Sequence, residues 1–210
     1  MQTTRGLDRL IFFTDAMAAI AITLLILPLA ELVPLTPTDV LPGQFLLDHL
    51  SELLAFLLSF AVIARLWITH HSLFEHVSAY SPALRNLSLL WAFTIVVLPL
   101  PTAMVAHWST DSIVVGFYIG TMFASSLLLT CMTILTHRSE ALQEPTHPLS
   151  SHAVTASVLS TGEFLVALIL GTAFQEINYW GLFALFLSTP VFLIVRMRRS
   201  RTATRGSLHP

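Results

Sequence analysis

The residue that asks most for an explanation is Asp15, a carboxylate inside the run RLIFFTDAMAAIAITLLILPL, which is apolar almost throughout. An ionised group that deep in an apolar helix is costly unless it meets a partner or water, and such groups mark packing locks or ion and proton pathways. Arg9 stands six positions earlier, which at about 100° per residue puts it roughly 240° around the helix, so the two cannot pair within one face. Asp15 must therefore turn to another helix or to an aqueous path. Glu163 is a second acid inside an apolar stretch and reads either as a hydrogen-bonded packing contact or as a coupling group. A third polar cluster, ARLWITHHSLFEH, gathers Arg65, Trp67, Thr69, His70, His71 and His76. Histidine titrates near neutrality, so this cluster could sense protons. His71 and His76 are five apart, which suits neither i,i+3 nor i,i+4, and Glu75 is the sole nearby acid, so the spacing predicts no zinc site. Neither G-x-S-x-G nor H-E-x-x-H occurs, and the chain is not read as an enzyme.

The elements that must position these residues are membrane helices. Of 210 residues, 55% are hydrophobic and only 10% charged, where a water-facing domain carries roughly a quarter charged. The composition predicts an all-α polytopic membrane protein. The formal net charge of -2 offers nothing to nucleic acid. A single cysteine, Cys131, excludes an internal disulfide and a cysteine-based zinc site and reads as a small apolar residue. Six apolar segments are predicted, at about 9–31, 46–70, 86–107, 112–136, 151–175 and 178–196, each long enough at 1.5 Å per residue for a hydrocarbon core of ~30 Å. The first is spanning length and ends in LPLAELVPLTP without a small-x-small site, so it is expected to be a retained helix rather than a cleaved signal. Turn chemistry separates the segments: Pro34, Pro37 and Pro42 in one break, HRSEALQEPTHP in another, and HWSTDS with Ser109 or Asp111 as the N-cap in a third. Trp108, Tyr179 and Trp180 fall near segment ends, where aromatic anchors belong.

All ten basic residues are arginines, and on a six-span path each falls in or near one set of ends, while Glu31, Asp39, Asp48, Asp111 and Glu176 occupy the other. The positive-inside rule then predicts both termini in the cytoplasm. Residues 1–198 form one six-helix unit, and 199–210 a basic tail expected to be disordered and to meet anionic lipid. On this topology the histidine end of the second segment lies level with the start of the first, so His70 or His71 is expected to partner Asp15 or Thr14. Further along the first segment, Ile20, Thr23 and Leu27 form one stripe. Ile20 lies roughly 16 Å beyond Arg9, near mid-bilayer. Pro28 lacks an N–H and frees the carbonyl of Leu24. Periodicity alone reads the stripe as packing.

RLIFFTDAMAAIAITLL resembles the first helix of the transmembrane protein 175 family, endolysosomal potassium channels and their prokaryotic relatives. Arg9, Phe13 and Asp15 match the family signature R-x-x-x-F-S-D, with Thr14 keeping the hydroxyl of the serine. RLWITHHSLF is similar to the W-x-x-H-H segment ending helix two, and LPLPTAMV to the L-P-x-P-T-A segment of helix three. The similarity spans roughly the first half of the chain. It implies a potassium-permeable channel in which first helices line a central pore. A single six-helix repeat implies a homotetramer in a lipid bilayer, here the multi-pass plasma membrane of a prokaryote, with potassium as permeant ion and no cofactor. T-V-G-Y-G is absent. The resemblance instead implies a hydrophobic constriction at Ile20, with Thr23 and Leu27 as further layers. Arg9, Phe13, Thr14 and Asp15 would then tie helix one to its neighbours through Trp67 and His70 or His71. The alternative function is a proton- or ion-coupled transporter using Asp15 and Glu163.

Overall fold

The computed structural model describes residues 4–79, 81–108 and 111–173. The predicted sixth segment, the tail and Ser109 lie outside the described residues. What is described is a helical protein with five stretches long and apolar enough to cross a membrane: 5–35, 50–74, 82–107, 112–138 and 151–173.

The first stretch is helix α1 (Thr4–Leu24), a turn at Leu25 and Ile26, helix α2 (Leu27–Leu32) and a 3-10 turn over Val33–Leu35. The break falls where Pro28 withholds the N–H that the Leu24 carbonyl would accept. The helix restarts with Ala30 N–H donating to Ile26 O at 3.0 Å. α1 begins five residues before the predicted boundary, because hydropathy locates the apolar core and not the polar turn that precedes it.

Helix α3 (Pro42–Asp48) is short and is divided from α4 (Leu50–Phe74) by His49 at φ -109°, ψ 29°. That break moves the second span four residues beyond the predicted 46–70. The third span is again divided by proline, into α5 (Pro82–Val97) and α6 (Pro99–His107). Ser81 caps α5 by accepting Leu84 N–H at 3.2 Å. Asp111 caps α7 (Ser112–Arg138), its carboxylate accepting Ile113 and Val114 N–H at 2.8 and 3.1 Å. This satisfies two of the amides that a helix start leaves without partners. The last described helix is α8 (Ser151–Ala173).

The core lies among α1, α4, α5, α6 and α7, around the fully buried Trp91, Tyr118, Ile63, Leu84 and Ile95. α8 packs chiefly along α7. Their approach is close at Gly116, where a Cβ would meet Thr172 Cγ2 at 3.3 Å. Beyond it, a polar seam joins the same two helices. Ser126 Oγ lies 3.0 Å from Thr161 Oγ1, and Thr130 Oγ1 lies 2.7 Å from Ser157 Oγ and 2.8 Å from Thr161 Oγ1. Small side chains let helices approach in lipid, and hydroxyls then bond across the contact. At the ends of the bundle the α4–α5 and α7–α8 connections pair through Ser78 N–H to Leu142 O and Glu144 N–H to His76 O.

Candidate functional site

Helix α1 has two unlike faces. Leu7, Leu10, Thr14, Ala18, Ala21 and Leu25 are buried at steps of three and four residues, which is the core-facing stripe of an amphipathic pattern. Phe13, Ile20, Thr23 and Leu27 lie on the exposed side, Ile20 at 58% and Leu27 at 49% exposure. The Thr23 hydroxyl donates to Ile20 O of its own helix at 2.8 Å. Its proton is thus committed to the backbone while a lone pair of its oxygen stays available as an acceptor. An exposed row of two branched apolar residues around a hydroxyl can line a narrow path once other copies of the helix face it.

The inner part of α1 is tied to α4. Trp67 Nε1–H donates to Asp15 Oδ1 at 2.9 Å. The Thr14 hydroxyl is turned to its own helix, within 3.1 Å of Leu10 O and 3.0 Å of Ile11 O. The expected histidine partner for Asp15 or Thr14 is therefore corrected: the indole of Trp67 makes the contact with Asp15. The helical period explains why. Trp67 and His71 share a face of α4, ring centroids 5.5 Å apart, with His71 exposed and 4.0 Å from Glu75. His70 is turned about 100° away and lies fully buried, stacked on Trp91 at 4.0 Å and 8° and beside Phe74 at 4.6 Å. Neither ring nitrogen of His70 has a hydrogen-bond partner among the described residues. Arg9 is exposed on the first turns of α1.

Two further polar centres lie away from α1. Arg65 of α4 reaches α8, with Nη2 3.3 Å from Glu163 Oε2 and 3.0 Å from Ser160 Oγ. Glu163 is thus a paired acid. In the other half of the bundle Ser59 Oγ lies 2.7 Å from Tyr118 OH and 3.0 Å from Thr102 Oγ1, joining α4, α7 and α6 in a buried network. No group of three or more His, Cys, Asp or Glu side chains is arranged to hold a metal among the described residues.

Residues 9–99 match the family described as endosomal/lysosomal potassium channel TMEM175. The likeness to that family model covers somewhat less than half of the chain. The matched stretch runs from Arg9 to Pro99 and so contains the exposed row Ile20, Thr23 and Leu27, the Asp15–Trp67 contact, His70 and His71. The chain is 29% identical over 169 residues to a protein of Streptomyces collinus named a potassium channel, covering 77% of this chain and 80% of that one. It is 34% identical over 96 residues to a potassium channel of Chamaesiphon minutus, covering 46% and 47%. In fold it resembles the crystal structure of a lysosomal potassium-selective channel TMEM175 homolog from Chamaesiphon minutus. The TM-score is 0.67 and the identity 24%, over 91% of this chain and 98% of that one.

Sequence reasoning treated Arg65 and Glu163 as separate residues and did not join them. The signal was present: two opposite charges, each in the interior of a span, are expected to pair. Their pairing needs the lateral order of helices, which no local pattern carries. The Ser59–Tyr118–Thr102 network left no comparable mark, since lone hydroxyls are common in membrane helices.

Proposed function

We propose that the chain forms a potassium-permeable channel as a ring of four copies. Each would contribute α1 to a central path and would cross the membrane six times, with both termini on the cytoplasmic side. The single observation that carries this reading is the row of Ile20 and Thr23 on α1 and Leu27 at the start of α2, exposed while the opposite face of α1 is buried in the subunit. The match of residues 9–99 to a family described as potassium channels supports it. One helix cannot enclose a path, and closed cyclic symmetry supplies the remaining walls.

The constriction is assigned to Ile20. Its side chains give a dehydrating cation no ligand, so they select by the cost of shedding water, which is higher for the smaller and more tightly hydrated ion. Thr23 oxygens offer contacts just beyond, and Leu27 forms a further apolar layer before the break at Pro28. Asp15 holds α1 against Trp67 and takes no part in coordination. His70, stacked on Trp91, positions α4 against α5 instead. The site of action in this reading is a prokaryotic plasma membrane.

Two measurements test this. Reversal potentials in planar bilayers under potassium/sodium bi-ionic conditions should show preference for potassium, with unitary currents far above transporter turnover. A flux that saturates and requires a proton gradient would overturn the channel. Native mass spectrometry in mild detergent should show four copies; a monomer or a closed dimer would overturn the ring.

A further inference from the structure

A cavity of about 350 Å³ lies between α4, α7 and α8, on the side of the subunit formed by those helices. Along α4 its wall runs through Arg65, Thr69, Ser72 and His76, and along α8 through Ala153, Ala156, Ser157 and Ser160. Ser126 and Thr133 complete it from α7. None of these residues belongs to the exposed row of α1. The deep end is formed by Arg65 and Ser160, and behind them Arg65 pairs with Glu163 at 3.3 Å. The other end lies where α4 finishes and α8 begins, at Ser72, His76 and Ala153.

We propose that this cavity is a water-filled side vestibule, separate from the path along α1, that brings water from the face where α4 ends to the Arg65–Glu163 pair inside the membrane. The depth demands some such arrangement. Arg65 stands nine residues before the end of α4, roughly 13 Å along the axis. Glu163 stands twelve residues after the start of α8, roughly 18 Å along. A charge pair at that depth is costly to desolvate, and polar groups or water that reach it lower that cost. Both side chains are still partly exposed, at 22% and 29%, and hydroxyls interrupt the otherwise largely apolar wall of the space that Arg65 faces.

Size and chemistry both suit water. A site needs roughly 10–15 Å³ and a few polar partners for each molecule, so a cavity of about 350 Å³ holds a chain of them. Ser72, Thr69 and Ser160 supply hydroxyls along the way, and His76 stands at the mouth with Nδ1 3.0 Å from Ser72 O. A phospholipid would place its charge at the membrane surface and its tail inward. Here the charged groups are innermost, which is the wrong order for a lipid and the right one for an aqueous crevice.

The test is cysteine accessibility in full-length protein reconstituted in vesicles opened to both faces, in a Cys131→Ala background. The probe is a membrane-impermeant trimethylammonium methanethiosulfonate, and the readout is intact mass. The thiolate is the reacting form, and it forms poorly in apolar surroundings. Ala156→Cys and, on the facing helix, Thr69→Cys should therefore label at least about 100-fold faster than Val166→Cys on the part of α8 beyond the cavity. Ser150→Cys, in the connection before α8, sets the water-exposed rate. If Ala156→Cys and Thr69→Cys both react as slowly as Val166→Cys, the cavity is dry or filled by lipid and the proposal is wrong. Labelling does not depend on conduction, so the result stands apart from the channel reading.

Discussion

Two regions of this subunit use hydroxyl groups in opposite ways. In the α7–α8 pair, Ser126, Thr130, Ser157 and Thr161 are buried and bonded across the contact. Their polarity is used up inside the subunit. In the C-terminal part of α1, Thr23 stands on the exposed face between Ile20 and Leu27, and the bond it makes is to its own backbone. A polar side chain turned inward in a membrane protein locks packing. One turned outward between apolar residues needs water or another subunit. Asp15 lies between these cases, on the same helix as the exposed row but joined to Trp67 of α4.

The comparison can be broken at its strongest tie first. Asp15→Ala leaves the Trp67 indole N–H without its acceptor, at an expected cost of about 1–3 kcal/mol. The Tm of the detergent-solubilised protein should fall, and Asp15→Asn, which keeps an acceptor oxygen, should recover most of the loss. Equal losses in Asp15→Ala and Asp15→Asn would show that the hydrogen bond to Trp67 does not hold α1.

Next in size is Ile20→Asn. Amide groups at the constriction would lower the dehydration barrier more for sodium than for potassium, because sodium holds its water more tightly. Conductance should rise, and the potassium-to-sodium permeability ratio should fall by on the order of tenfold, about 1.4 kcal/mol. An assembled variant with the wild-type reversal potential would remove Ile20 from the filter.

The seam sharpens the contrast from the other side. Thr161→Val removes hydroxyl contacts to Ser126 and Thr130 while keeping the shape. Such bonds are worth about 0.6 kcal/mol in membranes. A small drop in Tm with an unchanged permeability ratio is expected. A change in selectivity from this variant would mean that the seam and the path are coupled.

The smallest effect belongs to Ile26→Leu. Ile26 stands in the turn between α1 and α2, off the row, and an exposed isomeric swap is expected to stay within about 0.5 kcal/mol. Reversal potential should match wild type; a clear shift would extend the lining beyond the row.

Much of this was legible because it is local. An apolar composition with few charges fixes membrane helices, since a backbone in lipid must satisfy its own hydrogen bonds. Pro28 announced the end of α1 through the carbonyl of Leu24, and Asp111 announced the start of α7 through two free amides. The two faces of α1 follow from its period, and residues 9–99 carry enough pattern to match a family model. Helical extents were less legible, as at His49, because hydropathy does not register a turn made within an apolar run.

Tertiary structure decided the partners. Sequence places Trp67, His70 and His71 within five residues, each a candidate for Asp15. The rotation of α4 against α1 gives the contact to Trp67, sends His70 against Trp91 and leaves His71 exposed. Arg65 and Glu163 meet across 98 positions of chain only because α8 lies beside α7 within reach of α4. Helix periodicity is written residue by residue. The lateral order and rotation of helices are set by how whole faces pack, and that sum over many weak contacts has no local signature.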